Sequence, residues 1–119
     1  MDANEIKEVI QAYFDADYAG DSDGMAKVFH DGSHLYGLGA DGELLDWPKE
    51  KFLHVLAKGK PEYPRYNEIL SIDFTGDDTA VARVKIRVED IIYTDILSFL
   101  RLNGKWGVMA KVYAGAPTE

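Results

Sequence analysis

Ile92-Tyr93-Thr94-Asp95-Ile96-Leu97-Ser98-Phe99-Leu100-Arg101-Leu102-Asn103-Gly104-Lys105-Trp106-Gly107-Val108-Met109-Ala110-Lys111-Val112-Tyr113 reads as two strands joined at Asn103-Gly104. Asn-Gly tolerates the two positive φ angles that a two-residue hairpin turn demands. Just upstream, Thr79 to Glu89 alternates with a period of two: Ala80, Ala82, Val84, Ile86 and Val88 share one face, and Arg83, Lys85, Arg87 and Glu89 the other. Tyr66 to Phe74 is a further strand, and Thr75-Gly76-Asp77-Asp78 returns the chain. The C-terminal half is therefore an antiparallel meander.

Moving toward the N-terminus, the period changes. Ile6, Val9, Ile10, Tyr13 and Phe14 form one apolar stripe at helical spacing, with Asp2 or Asn4 as cap and Gly20 as stop. Asp21 or Ser22 opens a shorter helix that turns Met25, Val28 and Phe29 inward and ends at Asp31-Gly32. A hairpin follows, with His34 to Leu38 and Glu43 to Leu45 flanking Gly39-Ala40-Asp41-Gly42. Asp46-Trp47-Pro48 opens a third helix, whose inner side is Phe52, Leu53, Val55 and Leu56. Gly59 to Pro64, with two prolines, is a loop. Three short helices before a long sheet give the α+β class, in one domain spanning residues 1–119.

The strand beginning at Ile92 is apolar on both faces, with Leu97 and Phe99 on one and Ile92, Ile96, Leu100 and Leu102 on the other. Such a strand is covered on both sides. The helices supply one cover, and a second copy of the chain is the expected other, making a homodimer through the outer face of the sheet. Charge supports this division. Net charge is −8, yet residues 1–50 carry −9 and residues 51–119 carry +1. An acidic chain makes a poor partner for nucleic acid or an anionic membrane surface. The absence of cysteine removes disulfides, thiolate metal sites and a cysteine nucleophile. The acidic Met1-Asp2-Ala3-Asn4-Glu5 start is unlike a signal peptide, so a cytoplasmic location is the expectation.

The order helix, helix, hairpin, helix, meander resembles the nuclear-transport-factor-2-like superfamily, which includes ketosteroid isomerase, scytalone dehydratase and the SnoaL-type polyketide cyclases. Within it, the chain is most similar to the putative lumazine-binding branch. Tyr93-Thr94-Asp95-Ile96-Leu97, Leu102-Asn103-Gly104-Lys105-Trp106 and Lys111-Val112-Tyr113 match its C-terminal pattern, and Gly20-Asp21 through Val28-Phe29-His30 resembles its second-helix signature. The resemblance implies a curved antiparallel sheet wrapped around three N-terminal helices, a cone enclosing an apolar pocket, and a dimer through the outer sheet face.

Four residues are candidates for chemistry: Asp95, His34, Tyr36 and Tyr13. With Leu102 opposite Lys105, Asp95 faces Val112 and shares a face with Tyr93, Leu97, Phe99 and Trp106. Burial there would raise its pKa and suit it to act as a general base; the superfamily precedent is the ketosteroid isomerase aspartate. A turn longer by one residue would slip the register, turning Asp95 to the dimer interface where Lys111 could pair with it. His34 and Tyr36 share a strand face and could orient a ligand carbonyl. Tyr13 lies on the inner stripe of the first helix, where the resemblance implies a site tyrosine, although core packing explains it equally. Tyr18, Tyr63, Tyr66, Trp47 and Trp106 could stack on a planar ligand at the pocket mouth or simply fill the core.

His30 and His34 flank Asp31, but Asp31-Gly32 interrupts the helix that a paired-histidine site requires, so no metal is expected. No phosphate-binding glycine loop or nucleophile elbow occurs, and no cofactor is expected. The expected function is binding of a small apolar or aromatic molecule; the sequence leaves open whether the pocket also does chemistry, which in an enzyme would be cofactor-independent proton transfer of the isomerase, dehydratase or cyclase type. The alternative is a non-catalytic ligand-binding or dimerisation module.

Overall fold

The computed structural model describes residues 2–56 and 61–118. Helix α1 spans Ala3–Ala19, α2 Ser22–Val28 and α3 Lys49–Val55; the strands are β1 Phe29–Leu38, β2 Leu44–Pro48, β3 Asn67–Phe74, β4 Thr79–Val88, β5 Ile91–Leu102 and β6 Lys105–Pro117. They form one six-stranded, curved, unclosed sheet in the order β2-β1-β6-β5-β4-β3. The α+β class is as the sequence implies.

Local chemistry sets the element ends. The Asp2 carboxylate accepts from the Asn4 amide to cap α1, and Gly20, at φ 65, supplies the left-handed residue that ends it. The Asp21 carboxylate caps α2 by accepting from Gly24 N. Ile6, Ile10, Tyr13 and Phe14 are buried against the concave face of the sheet together with Ala82, Val84, Leu97, Phe99 and Val108. The β5–β6 turn carries positive φ at both Asn103 (52) and Gly104 (78), the type I′ geometry expected of Asn-Gly.

Three boundaries differ from the sequence reading. Strand β1 begins at Phe29, directly after α2, so His30 to Gly32 lie in the strand and do not end a helix. Phe29 already pairs with Val108 of β6, and the register shifts between Phe29 and His34, so this stretch is an irregular entry into the parallel ladder. Trp47 and Pro48 finish β2, and α3 starts only at Lys49. The sheet is also mixed: β1 pairs antiparallel with β2 but parallel with β6. β2, α3 and β3 to β5 all lie between β1 and β6 in the chain, which permits that arrangement, since parallel neighbours need a crossover rather than a tight turn. Of the expected loop at Gly59 to Pro64, Gly59 and Lys60 lie outside the described residues.

The β5–β6 register decides what the cavity contains. Leu102 pairs with Lys105 and Phe99 with Val108, as the two-residue turn requires, but Ser98 then pairs with Ala110. One extra residue on β6 makes a bulge, after which Leu97 pairs with Lys111 and Asp95 with Tyr113. Asp95 keeps the inner face the turn predicts. Downstream of the bulge, β6 swaps faces, and Lys111 and Tyr113 point inward.

Candidate functional site

A cavity of about 370 Å³ opens between the helices and the concave face of the sheet. Its wall includes Tyr13 and Asp17 from α1, Trp47 from β2, Phe52 from α3, Tyr93 from β5 and Lys111 from β6. That volume falls at the lower end of the range for small-molecule sites, and the lining is mainly apolar and aromatic with a few polar groups.

The polar groups form a directed chain. Lys111 Nζ donates to the Tyr13 hydroxyl at 2.7 Å, and the Tyr13 hydroxyl donates to Asp95 Oδ2 at 2.6 Å. The Lys111 ammonium lies 3.7 Å from the same carboxylate oxygen, close enough for an ion pair but beyond a hydrogen bond. It also sits over the rings of Tyr13 and Phe52, each at 5.1 Å, and of Tyr113 at 5.6 Å. These ring faces partly replace the water an ammonium loses on burial. Asp95 is 0% exposed and Lys111 8%. Asp95 Oδ1 has no hydrogen-bond partner among the described residues. Burial holds the Tyr13 phenol well above its ordinary pKa of 10.0, and the nearby charges of Asp95 and Asp17 add to the effect.

Asp17 follows Tyr13 by one helical turn and so lies on the same face of α1. Its carboxyl is pushed up to about 6, first by burial; Asp95 reinforces the shift and Lys111 opposes it. A carboxyl that titrates near neutrality on a cavity wall can both take and return a proton. Tyr93 and Tyr113 are also raised, each chiefly by burial, and remain neutral phenols.

The four sequence candidates divide into two pairs. Tyr13 and Asp95 come together, but Asp95 lies behind Tyr13 and Lys111 and is not part of the cavity wall. The charged side chains on the cavity wall are those of Asp17, Glu89 and Lys111. His34 and Tyr36 lie on the outer face, paired with Ala110 and Val112 across the parallel ladder, and do not join Asp95. The expectation that they share a site with it is corrected by strand alternation: Leu35, between them, is the residue that faces the cavity. On the outer face the His34 ring N–H donates to Asp46 Oδ1 at 2.6 Å, and the imidazole stacks on Tyr36. His30 Nε2 donates to the Leu100 carbonyl oxygen at 2.7 Å.

Of the expected mouth aromatics, Trp47 lines the cavity, and Tyr18 packs edge-on against Tyr63 with its hydroxyl donating to the Tyr63 carbonyl. Trp106 packs with Phe74 elsewhere in the core. No group of three or more His, Cys, Asp or Glu side chains positioned for a metal occurs among the described residues. No helix among them is long and apolar enough to cross a membrane.

Sequence patterning did not place Asp17, Glu89 or Lys111 on the cavity wall. Asp17 carried a signal, because it continues the buried stripe of α1 as an acid among apolar residues. Lys111 carried none on the pocket side, because only the bulge turns it inward.

A family model described as putative lumazine-binding matches residues 1–114. Among solved structures, a nuclear-transport-factor-2-like protein of unknown function from Shewanella baltica is 26% identical, with a TM-score of 0.85 over 98% of this chain and 94% of the other. A similar protein from Silicibacter pomeroyi is 23% identical, with a TM-score of 0.85 over 96% and 95% of the two chains. A ketosteroid isomerase-like protein from Erwinia carotovora atroseptica is 17% identical, with a TM-score of 0.76 over 96% of each chain. Comparison with curated proteins gives no match.

Proposed function

The chain belongs to the putative lumazine-binding family of the nuclear-transport-factor-2-like superfamily, and on that premise we propose that its cavity takes a small, planar, cyclic carbonyl compound and catalyses proton transfer on it without a cofactor. The observation that carries the reading is the pairing, in one apolar cavity, of the Lys111 ammonium with the Asp17 carboxyl. Tyr13 has committed its proton to Asp95, so the donor left for a ligand oxygen is Lys111, with two N–H groups beyond the one used on Tyr13. Asp17 is the proton acceptor. Lys111 stabilises negative charge developing on the carbonyl oxygen, and the low-polarity surroundings strengthen that interaction. Tyr13 and Asp95 act as positioning residues. The reaction class is isomerisation, dehydration or aldol-type cyclisation, each of which begins with removal of a proton beside a carbonyl.

The test is exchange of the α-hydrogens of cyclic ketones in D₂O, followed by proton NMR. The expected rate rises with pH through about 6 as Asp17 ionises, and falls by a factor of about 10² or more in Asp17→Asn. Exchange at the buffer rate, while the same ketones shift the thermal midpoint, would instead identify a binding module.

The homodimer belongs to the same proposal. Ile96 and Val112, cross-strand partners on the outer face, are 43% and 46% exposed, and Leu38 and Leu44 on the β1–β2 ladder are 72% and 66% exposed. A second copy, presenting the same near-neutral, apolar face, is the partner this surface fits. The charge pattern also supports a cytoplasmic rather than a nucleic-acid-bound or membrane-bound protein.

A further inference from the structure

The hydrogen-bond chain behind the cavity has a direction, and that direction gives Lys111 a second capability. Its ammonium donates to the Tyr13 oxygen, and the Tyr13 proton already points at Asp95 Oδ2. If both protons move one step along the chain, the lysine becomes a neutral amine, the tyrosine stays a neutral phenol and Asp95 becomes a carboxylic acid. No ion leaves for solvent and no phenolate forms. The product is a free primary amine in the wall of a cavity lined by aromatic rings.

We propose that Lys111 reacts covalently with carbonyl compounds in the cavity, forming a reversible imine with an aryl aldehyde or cyclic ketone. The Nζ lone pair adds to the carbonyl carbon and the C=O π bond opens to give a carbinolamine. The carbinolamine C–O bond then breaks, and its oxygen leaves as water after taking a proton from the Asp17 carboxyl. The nitrogen proton lost on forming the neutral imine restores that carboxyl. The proton stored on Asp95 returns through Tyr13 when the imine is protonated. One carbonyl and one amine give one imine and one water, with no oxidant or reductant. Asp17, with a carboxyl that titrates near neutrality, is suited to both proton steps.

This chemistry needs the cavity but not the proton-transfer reading above, because an imine can form on a compound with no exchangeable α-hydrogen. The probes are therefore benzaldehyde and 2-naphthaldehyde, which have none. Wild-type protein is incubated with each and borohydride is added, which converts an imine into a stable secondary amine. Intact mass and peptide mapping then locate the arylmethyl group. The expected result is a dominant single adduct on Lys111, formed faster than on exposed Lys7, Lys51 or Lys105. Tyr13→Phe, which interrupts the chain, should slow the Lys111 adduct by about tenfold or more and leave the surface adducts unchanged. Lys111→Arg should lose the cavity adduct alone. Because the map is read on wild-type protein, the proposal does not depend on any variant folding. Adducts spread over the surface lysines with none on Lys111, from both aldehydes, would overturn it. So would a Lys111 adduct formed at the same rate in Tyr13→Phe. Neither result bears on α-hydrogen exchange, which is measured without borohydride.

Discussion

Asp17 shows most directly how burial becomes function. Its folded pKa of about 6 lies above the ordinary 3.8, so the native state binds a proton that the unfolded chain has already released between those values. The contribution is most favourable below pH 3.8 and is lost as pH rises through about 6. At neutral pH the ionised group therefore costs up to about 3 kcal/mol. Urea unfolding of Asp17→Asn should show a gain over wild type at pH 7 that disappears at pH 4. Equal differences at both pH values would contradict the shifted carboxyl. The opposite sign is expected behind the cavity. Lys111→Met leaves Asp95 buried without its cation and should cost about 3–5 kcal/mol, and adding Asp95→Leu should recover most of that loss. Chemical denaturation of the single and double variants checks the pair. Neither member was fully legible beforehand. The sequence placed Asp95 on the inner face through the Asn103-Gly104 turn, but periodicity could not reveal a bulge that brings Lys111 to it.

At the scale of elements, the strands that pack most closely are also the ones that shape the cavity. Gly37 on β1 faces inward, where an added methyl would fall 2.5 Å from the Tyr113 ring. Gly37→Ala should therefore drive Tyr113 into the cavity and weaken ligand binding more than it lowers stability, as fluorescence titration of Trp47 against the thermal midpoint would show. The β5–β6 turn makes a different demand. Asn103→Val puts a β-branched residue at positive φ and should cost about 1–2 kcal/mol, measured by urea unfolding. Alternation made β4 readable, the Asn103-Gly104 turn made β5 and β6 readable, and the apolar stripe with its caps made α1 readable. The start of β1 was not, because Val28-Phe29-His30 continues the apolar pattern of α2 and only the tertiary ladder to β6 commits it to strand. For the same reason His34 and Tyr36 were paired with each other correctly and with Asp95 wrongly. Spacing along one strand shows that two residues share a face, but which face depends on the neighbouring strands.

For the whole molecule, the proposed homodimer accounts for both the uneven charge and the two-sided strand. The acidic half of the chain forms α1, α2 and the β1–β2 hairpin, while the near-neutral half forms most of α3 and the other four strands. The concave side of that sheet carries the core and the cavity, and its convex side carries Ile96 and Val112 with no cover in the single chain. Size-exclusion chromatography with light scattering should give twice the 13.3 kDa chain mass for the wild type and the single mass for Ile96→Asp combined with Val112→Asp. A wild type that stays monomeric across the accessible concentration range would contradict the dimer. On the concave side, the proposed function has a carbonyl compound held by Lys111 and worked on by Asp17. The most direct measurement is a crystal structure with 2-naphthol, a planar enol analogue, bound. Its oxygen is expected within hydrogen-bond distance of Lys111 Nζ, with the ring against Trp47 and Phe52 and its edge toward Asp17. A ligand seated with its oxygen away from Lys111, or bound only on the convex face, would contradict it.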